Sequence, residues 1–304
     1  MEKKKILIFG ISILILPVVL FQCTDQHLDC DACDGDVEVF AMQKLPSVLE
    51  NFQIAGTDLP SGTMVEYITP RIIELTYPDG YHFVGMNSED GYMMSNQSQY
   101  SCSCTGEGCN VVAVPSSEPG QSWDVACSSC TEDCTGKWVD NNDLEINENS
   151  GFINLEDGVS FIKTTTECTI GPNANSFFEI DEMRQGLNDF LNQNELSLWD
   201  GTSDDFIMIP IRVFGSPIVL KFHSDTPGLL SNNINPSSDV NNYVMLSNDT
   251  PTCNCSSGAS GCDYEEITYK PCSWCPEVSI GHQCTAGDCV TCVMDLPEEE
   301  EPGG

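Results

Sequence analysis

The clearest periodicity in the chain lies between Ser176 and Trp199. Ile180, Met183, Leu187 and Phe190 recur there at spacings of three, four and three, which predicts an amphipathic helix. Ser176 and Glu179 stand ahead of that run in the spacing of a capping box. A shorter helix is expected from Ser47 to Gln53, with Pro46 at its first turn and Leu49 and Phe52 on one face. Elsewhere the apolar runs are short and rich in β-branched and aromatic residues. Arg71 to Tyr77 reads as a strand, Pro78-Asp79-Gly80 as a turn, and Tyr81 to Met86 as the return strand of a hairpin. Phe206 to Val213, the turn Phe214-Gly215-Ser216-Pro217 and Ile218 to His223 read the same way.

Cysteine spacing gives these elements an order. Cys102-x-Cys104, Cys109, Cys127-x-x-Cys130 and Cys134 follow the first predicted hairpin. Cys253-x-Cys255, Cys262, Cys272-x-x-Cys275 and Cys284 follow the second. Leu187-Asn188-Asp189-Phe190 also echoes Leu49-Glu50-Asn51-Phe52. The expectation is an α+β chain of two tandem repeat units, residues 23–150 and 151–294, with an acidic disordered tail at 295–304. Each unit would be a helix on a small antiparallel sheet, followed by a disulfide-rich lobe made of loops.

Both lobes are dominated by Ser, Thr, Gly, Asp and Glu. Ordering such a segment costs about 1–2 kcal/mol per residue in backbone entropy, with little apolar burial to offset it. A disulfide closing ~15 residues contributes about 3 kcal/mol, so bridges are the expected source of order. Candidates are all the cysteines just named, together with Cys30, Cys33, Cys168, Cys289 and Cys292; their connectivity is not set by sequence. Two alternatives stay open. Cys272-x-x-Cys275 and Cys289-x-x-Cys292 approach the spacing of a four-thiolate site for zinc or copper. Cys272-Ser273-Trp274-Cys275 and Cys30-Asp31-Ala32-Cys33 have the spacing of a thiol–disulfide redox pair. No C-x-x-C is followed by His, which excludes covalent c-type haem.

The chain carries 47 acidic against 11 basic residues, a formal charge of −36. Such a polyanion repels phosphate backbones, so nucleic acid is excluded as a partner; cations and basic protein surfaces fit. Weak surface calcium binding is also compatible, although Asp140-Asn141-Asn142-Asp143-Leu144-Glu145 fails the calcium-loop pattern at Leu144. The first residues have an export layout: Lys3 to Lys5, then an uncharged, mostly apolar run from Ile6 to Phe21. Leu20-Phe21-Gln22-Cys23 resembles the lipobox of bacterial lipoprotein precursors. That resemblance covers the leader alone. It implies a signal peptide at 1–22, lipid on Cys23, and attachment to the outer membrane or cell surface. A plain secreted chain or an uncleaved anchor is the alternative. With Cys23 acylated, seventeen of the 18 cysteines remain, an odd number.

His27, His82, His223 and His282 are the only histidines, and none sits in a metalloprotease helix motif; no G-x-S-x-G elbow occurs. Of the four tryptophans, Trp123 and Trp138 flank the first cluster and Trp274 lies inside a C-x-x-C. Packing over disulfides and a sugar- or protein-binding face are both consistent with this. The function expected from the whole is a non-catalytic, membrane-tethered extracytoplasmic protein with a structural, adhesive or ligand-binding role. Metal binding or thiol redox at the second cluster is the alternative.

Overall fold

A computed structural model describes residues 43–87, 91–104, 108–115, 123–128, 134–140, 145–148, 151–169, 172–228, 244–247, 249–255, 261–270, 272–286, 289 and 291–297. All belong to one compact unit bounded by Glu38 and Gly304. Strand accounts for 55% of the structure and helix for 11%, in five sheets, so the α+β expectation is replaced by a mostly β fold. Tandem helix-on-sheet units are absent from the described residues, which contain one helix of seven residues or more.

That helix, Asp181–Gln193, buries Met183, Leu187 and Leu191, with Phe190 at the margin. It is shorter than expected, because Ile180 is extended (φ −85°, ψ 124°) and separates it from the single turn Ser176–Glu179. The capping box does not form either: Ser176 Oγ donates to the Asn173 carbonyl at 2.6 Å. The helix packs on the central strands of a six-stranded sheet, Phe206–Val213 and Ser216–His223, which pair antiparallel as predicted. Ile207, Ile209 and Ile211 face the helix, while Met208 faces a separate core of sulfur-bearing side chains. Burial on both faces explains why this strand reads as an almost continuous apolar run. The turn has φ 48° at Phe214 and 90° at Gly215, two successive left-handed residues, the conformation that matches strand twist in a two-residue hairpin. The Phe214 ring occupies the space a side chain at Gly186 would need; a Cβ there would stand 2.5 Å from Phe214 Cζ.

In the first half, the expected helix at Ser47–Gln53 is instead two short strands, Val48–Leu49 and Phe52–Ile54. Asn51 between them sits at φ 57°, which no right-handed helix accepts. Seven residues are also too few to offset helix nucleation. The strands at Ile72–Thr76 and Tyr81–Asn87 exist but do not pair with each other. Ile72–Thr76 lies between Thr63–Thr69 and Gln97–Ser103 in a five-stranded sheet, and Tyr81–Asn87 pairs with Gly91–Ser95, Ile146–Glu148 and Phe152–Asn154. The Pro78–Gly80 turn forms, with Tyr81 N–H donating to Pro78 O at 3.0 Å, and carries the chain from one sheet to another. Phe152, beyond the expected unit boundary, packs its ring on Tyr77 (4.8 Å) and Phe83 (5.5 Å) of the first half. Asp295 closes the strand Thr291–Asp295, and residues 298–304 lie outside the described set.

Candidate functional site

The cysteine lobes are built of strands. In the first, Gln97–Ser103, Asn110–Pro115, Trp123–Ser128 and Thr135–Val139 follow in chain order; the middle two pair antiparallel, as do the outer two. In the second, Thr252–Cys255, Cys262–Tyr269, Val278–Ala286 and Thr291–Asp295 repeat that arrangement. The disulfides obey the same rule in both. The first strand is tied to the third by Cys102–Cys127 and by Cys253–Cys284. The second is tied to the fourth by Cys109–Cys134 and by Cys262–Cys292. In the second lobe Cys255–Cys289 adds a further tie.

The register agrees as well. Ser103 faces Thr135, one residue past Cys134, and Cys255 faces Cys292. Two extended pairs are thereby bolted together at one end. The counterparts of Cys127 and Cys134 are therefore Cys284 and Cys292. Matching Cys127-x-x-Cys130 to Cys272-x-x-Cys275 by spacing is corrected by the strand frame. Cys272–Cys275 is an addition on the second hairpin, closing its own turn.

Cys104 is half-buried, its sulfur within 4.8 Å of those of Cys109 and Cys134. Cys168 stands opposite Cys292 in register. Cys23, Cys30, Cys33 and Cys130 fall outside the described residues. Of the set considered for zinc or copper, Cys272 and Cys275 bond each other, Cys289 bonds Cys255 and Cys292 bonds Cys262. A four-thiolate site would require all three bonds to be reduced.

The third strand of the first lobe leads into a groove. Trp123 pairs in parallel register with Phe52, and their rings stack 6.3 Å apart at 15°. Gln43, Lys44, Pro46, Val48, Glu50 and Ala113 line the rest of a groove of about 400 Å³. The segment that supplies the first five is fastened at several points. Gln43 exchanges two backbone hydrogen bonds with Ala113 (3.2 and 2.7 Å). Tyr67 Oη accepts from Leu45 N–H at 3.2 Å and donates to Val111 O at 2.9 Å. Burial raises the Tyr67 phenol pKa, and the Leu45 hydrogen bond acts against that. Lys44 Nζ lies 4.8 Å from the Tyr67 ring centroid, and Glu50 accepts from the Ser61 hydroxyl. The groove is thus walled by an aromatic pair together with Gln43, Lys44 and Glu50 on a fixed frame, the ammonium resting on Tyr67 and the carboxylate on Ser61. That arrangement suits binding.

A second polar cluster lies on the sheet face away from the helix. Lys221 Nζ sits over the rings of Phe206 (5.0 Å) and Trp199 (5.3 Å). Burial lowers its pKa, with Glu266 opposing. His282 stacks on Tyr264 at 4.4 Å; burial first and Lys221 second lower its pKa, against Glu266. His223 Nε2 is 3.5 Å from Asp200. His82 belongs to another sheet, where its Nδ1 meets Gly80 O at 3.1 Å.

Comparison with protein-family models, with characterised proteins and with solved structures finds no match. The chain is an extracytoplasmic, disulfide-rich protein. Six bridges among the described residues are the pattern of an oxidising compartment. No helix among the described residues is long and apolar enough to cross a membrane. Sequence reasoning singled out Trp123 and the cysteines. It missed Gln43, Lys44, Glu50 and Phe52 as groove residues: Phe52 meets Trp123 through a parallel pairing across some seventy residues of chain, and Gln43 reaches the same sheet through an antiparallel bridge to Ala113.

Proposed function

We propose that this protein is a non-catalytic, lipid-tethered extracytoplasmic binding protein, held to the membrane by acylated Cys23, with the Phe52–Trp123 groove taking a neutral saccharide. The groove carries the reading. A sugar ring offers a C–H face to an indole and hydroxyls to an amide, ammonium and carboxylate, and Trp123, Gln43, Lys44 and Glu50 supply that set. A formal charge of −36 favours uncharged ligands over anionic polymers. The leader and the compartment support the tether; acyl burial of about 0.8 kcal/mol per methylene makes two or more chains a stable anchor.

Titration calorimetry of neutral oligosaccharides against the wild type and Trp123→Ala tests the groove. Binding that weakens at least about tenfold in the variant, equivalent to a lost aromatic contact of about 1.4 kcal/mol, is the expected result. Absence of binding by the wild type, or equal binding by the variant, refutes it. Intact mass tests the tether separately: the mature chain should begin at Cys23 with acyl mass attached, and Cys23→Ser should be released from membranes.

A further inference from the structure

We infer that Cys272–Cys275 is a thiol–disulfide exchange site, opened by extracytoplasmic dithiols and reclosed by extracytoplasmic disulfides, which are reduced to thiols in turn, while the other bridges stay intact. Five of the six described disulfides join the segments of the two strand frames. Each of the five has at least one buried cysteine: Cys102, Cys109, Cys284, Cys289 or Cys292. Their partners Cys127, Cys134, Cys253, Cys255 and Cys262 are half-buried, so one sulfur of each bridge is shielded and its opening frees segments of the frame.

The sixth differs in what it holds and in having neither cysteine buried. It spans a sequence separation of 3 and joins no two strands. It lies past the last register pair of its hairpin, Tyr269 with Val278, so the ladder is complete without it. Both its cysteines are half-buried, and Trp274 between them is 87% exposed. Within the turn, Cys275 N–H donates to Cys272 O at 3.0 Å, which holds the reversal after the sulfur bond opens. Opening it therefore exposes no core and releases no strand.

The exchange balances as follows. One thiolate of an external dithiol attacks a tip sulfur, the Cys272–Cys275 bond breaks, and a mixed disulfide forms. The reagent's second thiol displaces the protein sulfur. The reagent leaves as its own disulfide, and the protein keeps two thiols, having gained two electrons and two protons. Exposed Trp274 gives a protein dithiol an apolar contact beside the reacting bond.

The native full-length protein is titrated with dithiothreitol at neutral pH, quenched with iodoacetamide and mapped by peptide mass spectrometry, with circular dichroism recorded in parallel. Cys272 and Cys275 should each gain one alkyl group at dithiol concentrations that leave the frame cysteines unlabelled and the spectrum unchanged. Removing the dithiol and adding oxidised glutathione should abolish that labelling. In the Cys272→Ser/Cys275→Ser variant the early label should be lost and the spectrum kept. Labelling of a frame cysteine at the same or lower dithiol concentration overturns the inference. So does tip labelling that appears only with loss of the spectrum, or a tip that glutathione does not reclose.

Discussion

The three frame bridges of the second lobe share one span of chain, so their contributions depend on the order of removal. Cys253–Cys284, Cys255–Cys289 and Cys262–Cys292 have sequence separations of 31, 34 and 30. Acting alone, any of them closes a loop worth about 3.7 kcal/mol in the chain-entropy model. They do not act alone. With Cys255–Cys289 in place, the path from Cys253 to Cys284 runs through that bond and only roughly nine residues, so the Cys253–Cys284 bridge adds about 2.5 kcal/mol. Removing Cys255–Cys289 next, with Cys262–Cys292 still closed, opens a circuit of roughly twelve residues and costs about 3 kcal/mol. The last bridge removed costs the full figure.

Paired Cys→Ala substitutions, introduced one bridge at a time, should therefore destabilise by increasing steps of about 2.5, 3 and 3.7 kcal/mol. Each step also loses a buried sulfur, roughly 1 kcal/mol and common to all three. The steps together approach the whole net stability of an ordinary domain, about 5–15 kcal/mol, so the triple variant should leave this lobe unfolded. Urea unfolding with constant m reads each step. Equal steps of the full size would refute the shared-circuit reasoning, and loss of the lobe at the first step would show that strain or packing, not chain entropy, governs it.

Three further outcomes are expected. Gly186→Ala would place a Cβ against the Phe214 ring, so an overpacking cost of about 1–3 kcal/mol should outweigh the helix propensity gain of about 1 kcal/mol; a raised melting temperature would contradict this. The fold holds the His282 pKa below its ordinary value of 6.5, so between the folded and unfolded values the unfolded chain binds the extra proton. Its contribution is complete above about pH 6.5 and is lost as pH falls towards the folded value; melting temperatures of wild type and His282→Gln, measured from pH 7.5 to 5, should converge or cross, and parallel curves would refute it. Cys130 corresponds by cysteine order to Cys289, as Cys104 does to Cys255, so peptide mapping should recover Cys104 joined to Cys130; any other partner for Cys104 breaks the correspondence between the lobes.

Local signals in the sequence were legible where the chain answers them locally. The stripe at Met183 and Leu187 made a helix, and the run from Phe206 to His223 made a hairpin, because neighbours in sequence are the partners in space. Ile72–Thr76 is a strand, as its β-branched run predicts, but its partners were not readable. A turn such as Pro78–Gly80 fixes a reversal, and alternating Ile73 and Leu75 fit a central strand equally well beside Thr63–Thr69. Leu49 and Phe52 were placed on one helix face because helix and strand periodicities cannot be separated over four residues. The groove was invisible, since it arises from Phe52 lying parallel to Trp123, a non-local pairing with no spacing to betray it.

The cysteines show the same division between spacing and geometry. Two C-x-x-C pairs looked equivalent because spacing is all a sequence displays. Strand register instead aligns Cys127 with Cys284, and this leaves Cys272–Cys275 as an insertion in a longer hairpin: eight- and nine-residue strands against six and six in the first lobe. The consequence is a common mechanical plan. In both lobes the disulfides of the strand frame gather at one end of the central hairpin, and a tryptophan stands towards the other. Trp123 begins the strand that Cys127 nearly ends, and Trp274 lies in the turn beyond the strand that carries Cys284. A hairpin clamped at its base needs little core of its own to hold its far end still, and this is how a polar, strongly acidic chain can present an aromatic side chain in a fixed position. The first lobe uses that end to wall a groove. The second carries it further from the clamp and leaves Trp274 in solvent beside the bridge that nothing else depends on.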